Sequence, residues 1–351
     1  MDALDNKCPA CGATITFNPA NQMWDCSYCA SKFTLEQMQQ YNNASTQESN
    51  TVNQLMPEST IGDVDVYRCK NCGAEIMADQ TTTATFCVYC GSTAILKDRI
   101  LQGRAPNYII PFKTVKEDAI KGFKKVTKGR LLMPKSFKDP KNIEKISGVY
   151  IPFWGYDLEA NGEVEFEASD IKTWSDSKYK YRKVDRYSIR KSGHFDFNKV
   201  LADASSRFPD DLMDSLEPFN YDDLTPYNHA YLSGFLAEKY DVDEAEGLKR
   251  VSGRTNSTAV TLMQETVGHM EQKVINNGIR VSARYTHYIM LPVWMLNIKY
   301  LDKNYQFAIN GQTGKVVGEY PVDTGKKRKY FWKIAGIAYA AAAAIAYFLL
   351  H

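Results

Sequence analysis

The sequence predicts an α+β fold class: two small cysteine-closed modules at the N-terminus, an α+β body with antiparallel strands, and a single C-terminal hydrophobic helix. Three observations predict it. Eight cysteines fall into two quartets with the same internal spacing. The middle of the chain mixes strand-like alternation with helix-like periodicity. Residues 334–350, 17 in all, carry no charge.

Cys8, Cys11, Cys26 and Cys29 form the first quartet, and Cys69, Cys72, Cys87 and Cys90 the second. In each, two C-x-x-C knuckles are separated by 14 residues, and each cysteine of the first reappears 61 positions later. Two residues between cysteines let both thiolates of a knuckle reach one ion. A hairpin-length gap brings the second knuckle opposite the first. Four thiolates close a tetrahedral Zn²⁺ shell, which makes the site structural rather than catalytic. Iron takes the same all-sulfur set. The reading is therefore two tandem zinc ribbons, with two Zn²⁺ ions as the only cofactors. Gly12, Gly73 and Gly91 follow knuckles, where a turn favours positive φ. The N-terminus, beginning Met1-Asp2-Ala3-Leu4, shows no signal-peptide pattern. Thiols without an export signal fit a reducing compartment.

The 351 residues are enough for two or three domains. The division predicted is ribbon one at 1–38, a flexible polar linker at 39–62, ribbon two at 63–98, the body at 99–322, and a basic flank with a transmembrane helix at 323–351. The linker, rich in Asn, Gln, Ser and Thr, is expected to let the ribbons move independently.

Within the body, 114–128 reads as a helix opened by a Thr114/Glu117 capping box, with Val115, Ala119, Phe123 and Val126 on one face. Its other face is lysine-rich, read as solvated in preference to membrane-facing. Tyr150-Ile151-Pro152-Phe153-Trp154 opens a β-rich stretch. Residues 163–167 and 184–189 read as strands, 242–274 as mainly helix, and 285–300 as a buried strand interrupted at Leu291-Pro292-Val293-Trp294. The two Pro-aromatic motifs suggest equivalent positions in two related halves. Residues 305–310 and 315–319 read as a hairpin around Gly311-Gln312-Thr313-Gly314.

Charge and motif exclude several functions. Net charge is only +2, so no global polyelectrolyte argument arises. Residues 97–145 hold 14 Lys or Arg against 5 acids, and 196–246 hold 3 against 13. These blocks make either a polarised surface or two mutually neutralising faces. Residues 1–36 and 63–96 each hold two basic residues against four acidic ones, the wrong sign for tracking a nucleic-acid backbone. Gly311-Gln312-Thr313-Gly314-Lys315 lacks the spacing, hydroxyl and helix of a phosphate loop. The histidines, His194, His229, His269, His287 and His351, form no metalloprotease pair, and no Gly-x-Ser-x-Gly elbow occurs. No catalytic or cofactor-binding residue is assigned.

The uncharged run at 334–350 spans ~26 Å as a helix, near the lower limit for crossing a bilayer. Tyr330, Phe331 and Trp332 precede it, and Tyr347 and Phe348 lie near its far end. Lys326, Lys327, Arg328, Lys329 and Lys333 flank it on the N-terminal side, which by the positive-inside rule keeps the body cytoplasmic. The competing reading is an alanine-rich helix buried in the domain or lying at the interface.

Together with Pro111-Phe112, the two Pro-aromatic motifs and Asn310-Gly311-Gln312-Thr313-Gly314-Lys315-Val316-Val317-Gly318, the cysteine quartets give a pattern that resembles the bacterial TFIIB-type zinc-ribbon membrane proteins of the YdjG type over most of the chain. The resemblance implies a membrane-associated scaffold, encoded beside PspA-like and flotillin-like (SPFH) proteins and linked to membrane stress. Some relatives carry helicase or primosome labels, which the missing Walker motif does not support. Only the eight cysteines transfer as site residues. The function expected is a non-enzymatic, tail-anchored adaptor at the cell membrane, single-pass with its body in the cytoplasm. It would recruit protein partners, with the lipid bilayer as a further partner and nucleic acid unfavoured. The alternative is a nucleic-acid-binding zinc-ribbon protein of replication or transcription. A third class, an enzyme with a site in the body, would show a deep pocket with converging carboxylates or histidines.

Overall fold

The computed structural model describes residues 8–46 except 14, the strands at 65–69, 75–78 and 95–98, and residues 105–350. It is α+β with mainly antiparallel sheets and one apolar C-terminal helix. A small sheet comes first, with β1 (Ile15–Asn18), β2 (Met23–Cys26) and β3 (Lys32–Phe33) in that order. Helix α1 (Leu35–Thr46) follows. Its start is a reciprocal cap: the Gln37 amide donates to Thr34 Oγ1 (3.4 Å) and the Thr34 amide to Gln37 Oε1 (2.9 Å). The helix runs eight residues, 39–46, into the segment read as linker.

The second sheet has twelve strands. In chain order these begin with β4 (Asp65–Cys69), β5 (Glu75–Ala78), β6 (Ile95–Asp98) and β7 (Tyr108–Ile109). Helices α2 (Lys116–Thr127) and α3 (Pro140–Ile143) lead to the long strands β8 (Ser147–Ser175) and β9 (Lys180–Asp203). Next come α4 (Asp210–Asp214), β10 (Thr225–Pro226), β11 (Leu236–Glu238), α5 (Glu244–Glu265) and β12 (Glu271–Asn277). Strands β13 (Arg280–Tyr300), β14 (Lys303–Asn310) and β15 (Val316–Gly318) precede α6 (Thr324–Leu350). Spatial order is β10-β7-β13-β8-β11-β5-β4-β6, with β9 and β12 added beside β8 and β14–β15 beside β13.

The short strands read at 163–167 and 184–189 are parts of one hairpin. Its arms pair from Ser175↔Lys180 down to Phe153↔Asp203. Strand β8 alone, with 29 residues, is roughly 95 Å of extended chain. Val164 and Phe166 are buried while Glu163, Glu165 and Glu167 are not, as the alternation requires. Helix α5 covers the buried side through Val251, Ala259 and Met263. Residues 271–274, read as helix, belong instead to β12, which pairs with β8.

Strand β13 is not interrupted at Pro292; it continues through it. The prolines explain where its neighbours stop. Pro152 and Pro292 flank the central pair Ile151↔Leu291 in adjacent antiparallel strands. Each lacks an N–H toward its outer neighbour. The last pairs are Phe153↔Asp203 and Val293↔Asn310, so β9 and β14 both end one residue from a proline. Each proline carbonyl then takes one amide from the departing chain: Ala204 N on Pro152 O (2.9 Å), Gly311 N on Pro292 O (2.8 Å). The two motifs thus share a local two-fold relation within one sheet.

Helix α2 forms where predicted, but not with the predicted cap. Val115 precedes it with no side-chain cap. Thr114 Oγ1 donates to Gly311 O (2.9 Å) and accepts from Trp294 Nε1 (3.0 Å). Ala119 and Phe123 are buried as expected, with Thr127, while Val126 faces outward. The 311–314 hairpin forms, with Gly314 at φ 76° and Asn310 Oδ1 accepting the Gln312 and Thr313 amides at 2.9 Å each. Lys315 Nζ donates to the Glu217 carbonyl.

Candidate metal centre and its seat on the body

The first quartet is built by two copies of one backbone device. The Cys8 amide donates to Ala13 O (2.7 Å) and the Gly12 amide to Cys8 O (2.8 Å). The Cys26 amide donates to Ser31 O (2.9 Å) and the Ala30 amide to Cys26 O (3.0 Å). The fourth residue after each leading cysteine is left-handed, Gly12 at φ 71° and Ala30 at φ 57°. Glycine accepts that at no steric cost; alanine there costs roughly 1 kcal/mol. The β1–β2 hairpin, with Ile15 opposite Cys26, folds the second knuckle back over the first.

The four Sγ atoms lie within 4.8 Å of one another. Cys8 and Cys29 are 3.5 Å apart, Cys11 and Cys26 3.6 Å. A tetrahedral thiolate shell with metal–sulfur bonds of ~2.3 Å sets sulfurs ~3.8 Å apart, so the set fits one metal ion. Cys8 and Cys26 are buried, Cys11 and Cys29 exposed. Hydrogen bonds from the Ser31 side chain and backbone hold the Cys29 thiol down at about 6. The Ala13 backbone favours the Cys11 thiolate, but desolvation and the sulfurs of Cys29, Cys8 and Cys26 push that thiol up to about 12. Crowded sulfurs resist full deprotonation by themselves, and a divalent cation removes that resistance.

Of the second quartet, Cys69 lies at the end of β4, and Cys72, Cys87 and Cys90 fall outside the described residues. So do Gly73 and Gly91, residues 47–62 of the linker, and His351.

The first module does not swing free, contrary to the sequence expectation. Trp24, 1% exposed, donates its Nε1–H to Ala230 O (2.8 Å). Its ring meets Phe17 and Tyr231 at 5.0 and 5.2 Å. The Phe17 amide donates to Ser233 O (3.1 Å), and Gln22 Nε2 to Phe112 O (2.9 Å). Thr16 comes so near Gly234 that a Cβ there would sit 3.4 Å from its side chain, and Gly234 has φ 87°. A module this small has too little core of its own, so its aromatics are completed by the body. Strand β11 follows directly, pairing parallel with β8 and antiparallel with β5. Residues 230–238 therefore seat the first module and, through β5, the strands of the second segment. Neither feature was legible beforehand: a three-residue strand has no periodicity to read.

His194, His269 and His287 are engaged locally. His269 Nδ1 lies 3.0 Å from Asp170 and stacks on Tyr187 at 4.4 Å; the hydrogen bond from His269 holds the Asp170 carboxyl below its usual range. His194 sits 3.3 Å from Glu159 and from Asp196, both of which Arg284 also binds. His287 lies 3.6 Å from Asp157. A groove of about 710 Å³ between α2, α4 and β14–β15 has Asp211 and Glu319 in its lining but no histidine or cysteine.

Helix α6 is long and apolar enough to cross a membrane, by length and composition, and none of that window is buried. At the tip of the β8–β9 hairpin, residues 172–191 hold eight Lys or Arg against two Asp. Exposed Trp174 and Tyr181 stack there at 5.4 Å. The sequence shows that alternation of cations and aromatics, but only the hairpin places it at a tip.

The chain is similar to "Uncharacterized protein YdjG" of Bacillus subtilis (strain 168), with 33% identity over 334 residues, covering 95% of this chain and 94% of that one. No family model matches it. No solved structure matches it either.

Proposed function

The chain belongs to the YdjG family, and on that footing we propose that it is a membrane-anchored zinc-ribbon adaptor that recruits partner proteins to the cytoplasmic membrane face. The observation that carries the reading is the joint presence of a four-cysteine cluster seated on the body and an uncovered apolar C-terminal helix with a basic flank. In this reading both quartets hold Zn²⁺. The ribbons and the body present docking surfaces, and no group is assigned to catalysis. Helix α6 crosses the bilayer once with Lys326–Lys329 inside. PspA-like and flotillin-like proteins are the partner classes, and membrane stress is the setting.

Fractionation tests the anchor. The full chain should resist alkaline carbonate extraction and bring its partners into the membrane pellet. Arginines placed at Ala341 and Ala344, each costing ~2.5–3.5 kcal/mol at a span's centre, should release the chain and its partners together. Continued carbonate resistance of that variant would refute the anchor.

A second reading, nucleic-acid binding, has the hairpin tip in its favour, since stacked aromatics among cations suit single strands. It predicts salt-sensitive binding of single-stranded nucleic acid, lost in Trp174→Ala/Tyr181→Ala. Absence of such binding at low salt leaves the adaptor reading standing alone.

A further inference from the structure

Residues 124–138 hold six Lys or Arg and no acid. Lys124, Lys125, Lys128, Arg130, Lys135 and Lys138 are all exposed. Lys124, Lys125, Lys128 and Lys135 have no ion-pair partner among the described residues. Of the carboxylates around it, Glu319 is engaged by Lys303 (3.2 Å), Asp323 accepts from the Lys326 amide (3.0 Å) and Asp139 from the Lys141 amide (3.0 Å), while Asp211 lines the adjoining groove with Arg130.

This segment is tied to the foot of α6. The Asp323 amide donates to Leu132 O (2.8 Å), and Lys326 Nζ donates to Met133 O (2.6 Å). The Arg130 guanidinium lies 3.5 Å over the Tyr320 ring, in the connection into α6. Residues 324–333 add ~15 Å of helix before the uncharged run begins. That is the depth of a headgroup layer plus about one Debye length of ~8 Å.

We propose that residues 124–138 form a cationic collar that binds the anionic lipid headgroups around the point where α6 enters the bilayer. The proposal rests on the α6 anchor. Two things favour lipid over another polyanion: the contacts fixing the segment beside the candidate span, and the second cationic run, Lys326–Lys329, emerging from the same place. Helix-dipole compensation accounts for the lysines at the end of α2, but not for Lys135 and Lys138 beyond it. Each cation near an anionic leaflet is worth about fivefold in affinity.

The test uses the full chain in vesicles of phosphatidylcholine alone or with one third phosphatidylglycerol. A water-soluble amine-reactive ester is added outside, and modified lysines are counted by mass spectrometry. Lys172 and Lys178, at the hairpin tip, are internal controls. The collar lysines should be modified several-fold more slowly in the anionic vesicles, with the controls unchanged and the difference removed by high salt. In Lys124→Gln/Lys125→Gln/Lys128→Gln, Lys135 and Lys138 should lose most of that protection while the chain stays carbonate-resistant. Equal modification in both lipids with α6 still carbonate-resistant overturns the collar and leaves the anchor intact. Loss of carbonate resistance strikes the anchor instead. Protection that arises only with added nucleic acid or acidic protein also overturns the proposal.

Discussion

Truncating Trp24 should loosen the body, not only the ribbon. In Trp24→Ala, an indole 1% exposed disappears together with its hydrogen bond to Ala230 O at 2.8 Å and its contacts with Phe17 and Tyr231. Removing a buried Trp costs ~3–5 kcal/mol. At ~1.4 kcal/mol per decade, a local opening constant should rise between about a hundredfold and a few thousandfold. The amides to watch are those of Ser233 and Phe235, which donate to Ala230 O and Leu232 O, and that of Phe17, which donates to Ser233 O. Hydrogen exchange read by mass spectrometry separates peptides from 15–33 and from 229–238. Both should accelerate. The milder Trp24→Phe, which removes the indole donor and keeps most of the ring, should raise exchange about tenfold, as a lost buried hydrogen bond of ~1–2 kcal/mol requires. Acceleration confined to 15–33 would show that the ribbon is not seated on 230–238, and the reasoning would fail.

Elemental analysis should find about two zinc ions per chain, falling by one when Cys8, Cys11, Cys26 and Cys29 are changed to Ser, a count tied to the closed thiolate shell. Ala30→Gly relieves a left-handed alanine and should stabilise the first ribbon by ~1 kcal/mol in thermal unfolding, whereas Gly234→Ala, which meets Thr16, should cost at least as much. Burial, then Asp210 and Asp214, raise the Asp203 carboxyl against the pull of Arg250. A raised acid contributes stability that is fully present below its ordinary pKa of ~3.9 and is lost as pH rises through the folded value, so Asp203→Asn should flatten that part of a melting-temperature profile. Lys315→Ala should neither create nor abolish nucleotide hydrolysis, and nucleotides should not shift the melting temperature of either form.

How much of this was legible depended on whether the signal was local. The first cysteine quartet was fully readable, because knuckle spacing is a property of neighbouring residues, and the same holds for α6 and the 311–314 hairpin. The capping box was sought at Thr114, where the hydroxyl is taken by Gly311 O and Trp294, and formed instead at Thr34. Strand length failed for a different reason. Exposed stretches such as 176–183 bury little, so no alternation marks them, and β9 is held from Lys180 onward by its register with β8. Pro292 suggested an interruption, yet the missing donors of Pro152 and Pro292 face outward and end the neighbouring strands instead. The seat at 230–238 depends on pairing partners more than 150 residues away, which no window of sequence contains.

Register along β8 orders these parts relative to the membrane end. Strand β11 pairs with Val149 and Tyr150, near the start of β8. Met295 pairs with Ser147, and β13 then continues only to Tyr300 before turning into β14. Phe137, inside the collar segment, packs on Tyr300 and Tyr305. The ribbon seat and the foot of α6 are therefore separated along the strands by about seven or eight residues, roughly 25 Å. The hairpin tip at Ser175 stands 25 residues beyond Tyr150 along the same strand, roughly 80 Å of extended chain. In the adaptor reading, whatever docks on the ribbons is held close to the bilayer, while the basic, aromatic tip lies at the far end of the sheet. Lys172 and Lys178 are thus the controls for the collar for a structural reason. If the anionic leaflet protected them as strongly as Lys124 and Lys128, the arm would lie along the membrane, and the separation of a membrane end from a distal end would be wrong.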